Sequence, residues 1–104
     1  MKKDFVDFLN VEFRERPGMY LGEYSISKLG IFLSGFMVGS FYYDKTKTSL
    51  IRFNSFIEWF EIKYSLERCS SWTYPFLEMR NNDEKAAMDL FFEELAIFIA
   101  ETSR

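Results

Sequence analysis

The sequence predicts an all-α fold, a single-domain bundle of about five helices, and three observations support this prediction. Apolar residues recur at helical spacing, cap-forming residues precede several of these segments, and Pro17 separates the first two. The chain has 104 residues, of which 48% are hydrophobic and 20% aromatic, which is enough for one hydrophobic core. We therefore expect residues 1–104 to form one domain with a core rich in Phe, since 13 Phe residues are present.

The first two helices are predicted from an apolar stripe and from their caps. The first helix should end before Pro17, and its apolar face consists of Phe5, Phe8, Leu9 and Phe13. The second should begin at Ser25 or Ser27 as N-cap, run to about Tyr42, and turn Leu29, Phe32, Leu33 and Phe36 inward. Its length makes it the predicted central helix.

The same second helix lacks charge from Leu29 to Tyr43, which raises the question of a membrane span. Lys28 and Asp44 close this run well short of the roughly 20 apolar residues that a span needs. We therefore predict a buried helix and no membrane partner. Its small residues, Gly30, Ser34 or Gly35, and Gly39, should let a neighbouring helix approach closely.

The third and fourth helices follow a polar loop at residues 44–49 and a possible short extended segment at residues 50–53. Asn54 or Ser55 should cap the third helix, which carries Phe56, Trp59 and Phe60 on one face. The fourth should run from Ser71 as cap to Met79, with Pro75 in its first turn.

The last helix has the clearest pattern. Asn81-Asn82-Asp83-Glu84 has the composition of a capping box, and the helix should run to about Glu101. One continuous apolar stripe is formed by Met88, Phe91, Phe92, Leu95, Phe98 and Ile99. Lys85, Asp89 and Glu93 follow one another at i+4 on the opposite, exposed face.

The residue types present favour a protein without catalytic activity. There is no His, the commonest general base and metal ligand, and no glycine pattern of a phosphate-binding loop. We expect no enzyme activity, no metal and no cofactor. Cys69 is the only cysteine and should be a small buried side chain in a protein of the reducing cytoplasm. The net charge of -3 disfavours nucleic acid as a partner and mildly favours a basic protein.

The most distinctive segment is the heptapeptide Arg16-Pro17-Gly18-Met19-Tyr20-Leu21-Gly22. Proline and glycine in succession favour a turn, and Gly22 provides a second break. We predict that Met19, Tyr20 and Leu21 pack this turn onto the bundle, and that substitution of Gly18 disturbs it.

Two families contain a similar heptapeptide. The segment resembles an element near the start of the ATPase domain of type II DNA topoisomerases such as gyrase, but the acidic-Asn helix and the glycine-rich ATP-lid motifs of that family are absent. We interpret that match as coincidental. The second resemblance also includes Ser25-Ile-Ser-Lys-Leu29, Phe32-Leu-Ser-Gly-Phe36, the pair Ser71-Trp72 and the Phe91-Phe92 helix. Together these elements resemble small bacterial immunity proteins of contact-dependent-inhibition and polymorphic toxin systems.

The second resemblance implies an all-α cytoplasmic protein that binds one toxin domain, without catalysis, and blocks its active site or substrate path. A basic toxin, such as a nuclease, would suit the acidic chain. The candidate contact residues are carboxylates and one aromatic residue on the third and last helices: Glu58, Trp59, Glu61, Asp83, Glu84, Asp89, Glu93 and Glu94. A solvated face or a core position is the alternative for each of them. The alternative function is a non-enzymatic helical adaptor or structural subunit of another bacterial complex.

Overall fold

A computed structural model of the chain describes residues 4–43, 48–67 and 71–102. Within these ranges the chain forms helices joined by short connections and no strand, so the all-α prediction is confirmed. The first helix, α1 (Phe5–Phe8), continues into a π-helical segment (Leu9–Phe13). It is followed by α2 (Pro17–Leu21), α3 (Ile26–Tyr43), α4 (Thr48–Lys63), α5 (Tyr74–Glu78) and α6 (Glu84–Thr102).

The core is built from aromatic rings, as predicted. The largest fully buried side chains include six Phe residues: Phe13, Phe53, Phe56, Phe60, Phe76 and Phe91. Phe60 of α4 stacks on Phe76 of α5 with ring centroids 4.2 Å apart, and Phe56 meets Phe91 of α6 edge to face at 5.6 Å. Such pairs add to the stabilisation that burial alone provides. They join α4, α5 and α6 into one aromatic cluster.

The heptapeptide forms the short helix α2, and not the Pro-Gly turn that we expected. Pro17 lies in the first turn of α2, where its missing N–H costs nothing. Gly22 ends the helix with φ of 81°, and its N–H donates to the Gly18 carbonyl at 2.8 Å. Tyr20 stacks on Phe13 at 5.1 Å, as the packing prediction required. Met19 is 64% exposed, so the prediction that it packs onto the bundle was wrong.

Helix α3 begins where the sequence indicated, since the Ser25 hydroxyl accepts a bond from the Lys28 N–H at 3.2 Å. Among the glycines of α3, close packing against the described residues is found at Gly30. A Cβ there would lie 2.9 Å from the Thr73 methyl carbon, whereas a Cβ at Gly35 or Gly39 would meet no atom within 4 Å. One side of α3 therefore packs closely within the chain, and the side that carries Gly35 is open.

Helix α4 begins at Thr48, so the extended segment at residues 50–53 and the caps at Asn54 or Ser55 were wrong. Phe53 lies at i−3 from Phe56, on the same helical face, and its burial in the aromatic cluster favours continuation of the helix through residues 50–55. Asn54 and Ser55 are exposed positions inside α4. The first part of the predicted polar loop, residues 44–47, lies outside the described residues.

The starts of α5 and α6 differ in detail from the prediction. Thr73, and not Ser71, occupies the N-cap position of α5, and Pro75 lies in the first turn as expected. Cys69 lies outside the described residues. Asp83 caps α6, because its carboxylate accepts from the N–H groups of Lys85 and Ala86 at 3.0 and 3.1 Å. The third residue of α6 is Ala86, so the reciprocal bond of a capping box cannot form.

Candidate partner-binding surface

Glu84, a candidate contact residue, is part of an internal cap between two helices. Its carboxylate accepts bonds from the hydroxyls of Ser25 (2.8 Å) and Ser27 (2.6 Å) and from the Ser27 N–H (2.9 Å). Burial opposes ionisation of Glu84, but the bonds from the Ser27 side chain and backbone and from Ser25 outweigh it and lower its pKa. Glu84, at the start of α6, thus supplies the acceptor that a backbone N–H in the first turn of α3 needs, and its negative charge lies at the positive end of the α3 dipole.

Glu94 is buried, with only 5% of the residue exposed, although we had placed it in an exposed acidic row. One carboxylate oxygen accepts from Lys63 Nζ and the other from the Tyr64 hydroxyl, each at 2.7 Å. The bond to Glu94 is the main cause that raises the pKa of Lys63 and that of Tyr64. Glu94 therefore connects α6 to the end of α4 and is not part of the exposed surface.

The three remaining acidic candidates on α6 or at its N-cap are exposed, but two of them already have partners. Asp83 caps α6, and Asp89 accepts a bond from the Tyr24 hydroxyl. Burial, followed by that bond, raises the pKa of Tyr24. Glu93 is exposed, as the i+4 pattern predicted, and has no hydrogen bond or ion pair with the described part of the chain.

Helix α4 carries the three remaining candidates. Trp59 is half-buried against Phe98, at 5.5 Å between ring centroids, and Lys63 Nζ lies 4.9 Å from the Trp59 ring centre. Glu61 is also half-buried. Glu58 is exposed and makes no hydrogen bond or ion pair to the residues that the structure describes. Among the eight candidates, Glu58 and Glu93 are therefore the exposed carboxylates that an external partner could engage without breaking an internal bond.

Two exposed isoleucines lie on the same face of α4 as Glu58. Ile51 is 62% exposed and Ile62 is 71% exposed. The spacing i, i+7 and i+11 places Ile51, Glu58 and Ile62 in one row along the helix. We name this row, together with the exposed Ser55, the α4 ridge. Sequence reasoning missed Ile51 because it treated residues 50–53 as extended, and it did not single out Ile62 on the predicted third helix. A helix from Thr48 would have placed all four residues on one face.

The α4 ridge rests on a well-anchored helix. Near its start, Arg52 donates to both carboxylate oxygens of Asp4 at 2.8 and 2.9 Å. At its end, Lys63 donates to Glu94. Phe56 and Phe60 bury the opposite face in the aromatic cluster. The ridge is thus held by the bundle and needs no rearrangement before it can meet a partner.

Comparisons with protein-family models, curated proteins and solved structures give no match for this chain. Function must therefore be argued from the surface itself. Within residues 4–43, 48–67 and 71–102, no group of three or more acidic, Cys or His side chains is arranged to hold a metal ion. In the same ranges, no helix combines the length and the apolar character that crossing a bilayer requires.

Proposed function

We propose that this chain is an immunity protein that binds a co-encoded bacterial toxin domain through the α4 ridge and blocks its active site or substrate path. The observation that carries the proposal is that one anchored helix exposes two isoleucines together with the carboxylate of Glu58, which makes no bond to the described residues. Ile51 and Ile62 lie about 17 Å apart along α4 with Glu58 between them, so one partner surface can contact all three side chains.

The composition of the ridge suits a protein partner. Ile51 and Ile62 supply apolar anchors, and Glu58 between them would meet a Lys or Arg on the toxin. A chain with net charge -3 would also be steered toward a basic toxin, such as a nuclease, which increases the association rate. Glu93, an exposed candidate carboxylate without a bond to the described residues, would contribute to steering from α6.

The proposal is tested by co-expressing the chain with the product of the adjacent upstream gene in bacteria. We expect the neighbour to arrest growth, co-expression to restore it, and the two proteins to purify as a one-to-one complex. A harmless neighbour that forms no complex would refute the immunity function. A stable complex with a harmless neighbour would instead support the adaptor function.

The contact surface is tested with a matched pair of substitutions. Ile62→Lys places a like charge opposite a basic toxin and should abolish both protection and complex formation. Ile31→Lys on α3 makes the same change at a side chain of similar exposure, 74% against 71%, and should leave protection intact. Equal loss of protection in the two variants would place the contact surface elsewhere.

A further inference from the structure

Helix α3 presents a second exposed apolar surface, distinct from the α4 ridge. Ile31 is 74% exposed and Val38 is 61% exposed, and between them lie the exposed small residues Ser34 and Gly35. We name these four residues the α3 outer face. No charged residue occurs in the sequence from Leu29 to Tyr43. The described helices leave this face open, since a Cβ at Gly35 would meet no atom within 4 Å.

The order of residues on the α3 outer face is self-complementary. Large side chains lie at positions 31 and 38, and small ones at positions 34 and 35, so the pattern is symmetric about the midpoint between Ser34 and Gly35. We propose that a second copy of this chain packs antiparallel on this face, around a two-fold axis at that midpoint. Ile31 of each copy then contacts Val38 of the partner subunit, and the helices approach closely at Gly35.

Charge favours a second copy at this face. Each chain has a net charge of -3, so two copies repel one another over most approaches. The α3 outer face carries no charge, and Lys28, about one turn before Ile31, pairs with Glu23 at 3.1 Å. Two copies can therefore meet here without bringing like charges together or burying an unpaired ion.

A cavity beside Ile31 provides additional contact area. It has a volume of about 310 Å³ and is lined by Tyr20, Leu21, Lys28, Ile31 and Phe32. In the antiparallel arrangement, Val38 of the partner subunit lies opposite Ile31, at the mouth of this cavity. Contact between the copies would thus extend from α3 toward α2.

The size of the face indicates a weak dimer. The α3 outer face spans residues 31–38, about 12 Å of helix, so even with the adjoining cavity it covers less than half of the ~800 Å² that each partner buries in a standard stable interface. We expect a dissociation constant of roughly 100 µM. The chain should be monomeric when dilute and dimeric when concentrated.

Sedimentation equilibrium between roughly 5 and 500 µM chain tests the proposal, a range chosen to bracket the expected dissociation constant. We expect wild-type protein to pass from monomer to dimer, and Ile31→Lys or Val38→Glu alone to weaken dimerisation at least about 10-fold. The matched controls on the α4 ridge, Ile62→Lys and Ile51→Glu, have similar exposure and should leave it unchanged. Circular dichroism spectra should show that all four variants retain the wild-type helical content.

A mixing experiment tests the antiparallel register. When the Ile31→Lys and Val38→Glu variants are mixed, the new lysine of one copy faces the new glutamate of the other, so a heterodimer should form more tightly than either variant dimerises alone. Gly35→Leu should abolish dimerisation without lowering the melting temperature of the monomer, because its side chain has open space there. Failure of the mixture to associate, equal loss in the α4 controls, or a wild-type chain that stays monomeric throughout would overturn the proposal.

Discussion

Substitution of Glu94 tests whether its buried carboxylate stabilises the fold, in contrast to the exposed carboxylates that a partner could contact. Its neighbour Glu93 is also a glutamate on α6 but is exposed. We expect Glu94→Ala to destabilise the fold and Glu93→Ala to change the free energy of unfolding by less than about 0.5 kcal/mol, as is usual for surface positions. Both substitutions remove one negative charge and gain helix propensity, so Glu93→Ala is a close control.

The magnitude follows from the two bonds that Glu94 accepts. The bond from the Tyr64 hydroxyl is charge-assisted and contributes about 1.5 kcal/mol. The bond from Lys63 contributes about 1 kcal/mol, because the lysine side chain is 34% exposed and solvent screens the pair. Removing the carboxylate also removes the cost of burying it, so we expect a net loss of about 2 kcal/mol. For a chain of this length, that loss corresponds to a melting temperature lower by about 10 °C.

Thermal and urea unfolding, followed by circular dichroism at pH 7, provide the measurement. Glu94→Gln should lose about half as much as Glu94→Ala, because the amide keeps one acceptor for Tyr64 but cannot accept from Lys63 at its NH₂ group. If Glu94→Ala melts within about 2 °C of Glu93→Ala, the carboxylate does not hold α4 and α6 together, and the reasoning is refuted.

Further substitutions test the caps and the glycines, each by urea unfolding. Glu84→Gln should cost about 1 to 2 kcal/mol at pH 7. Because folding lowers the pKa of Glu84, its contribution is present above the unfolded pKa of about 4.3 and disappears as the pH falls through the lower folded pKa. Wild type and variant should therefore converge in acid, and a constant difference would contradict this. Gly35→Ala should stabilise α3 by about 1 kcal/mol. Gly30→Ala should be less stable than Gly35→Ala by at least about 1 kcal/mol, because its Cβ crowds the buried Thr73. Equal effects would show that the contact with Thr73 relaxes freely. Gly22→Ala should lower the free energy of unfolding by about 1 kcal/mol, because residue 22 has a positive φ, whereas Gly18→Ala, inside α2, should not lower it. If Gly18→Ala is the more destabilising of the two, the Pro-Gly turn that we first expected is correct.

Local patterns were sufficient to predict most of the helices. The stripe from Met88 to Ile99 and the cap at Ser25 are properties of neighbouring residues on one helix, so they can be derived without knowledge of what packs against them. The start of α4 could not be predicted in this way. Leu50 and Arg52 favour a helix whereas Ile51 and Phe53 are enriched in strands, so local preference is divided, and the burial of Phe53 against Trp72 decides their conformation.

The candidate surface, too, was predicted in part from the sequence and in part decided by tertiary packing. Composition and spacing placed carboxylates on α4 and α6, and the exposure of Glu58 and Glu93 agrees with that placement. The sequence also determined an all-α, Phe-rich chain without His. Only the tertiary structure showed that Glu84 reaches α3 and Glu94 reaches α4. A helical pattern fixes the direction in which each side chain points around the helix axis. The neighbouring helices decide whether that direction meets solvent, a hydrogen-bond donor or the core.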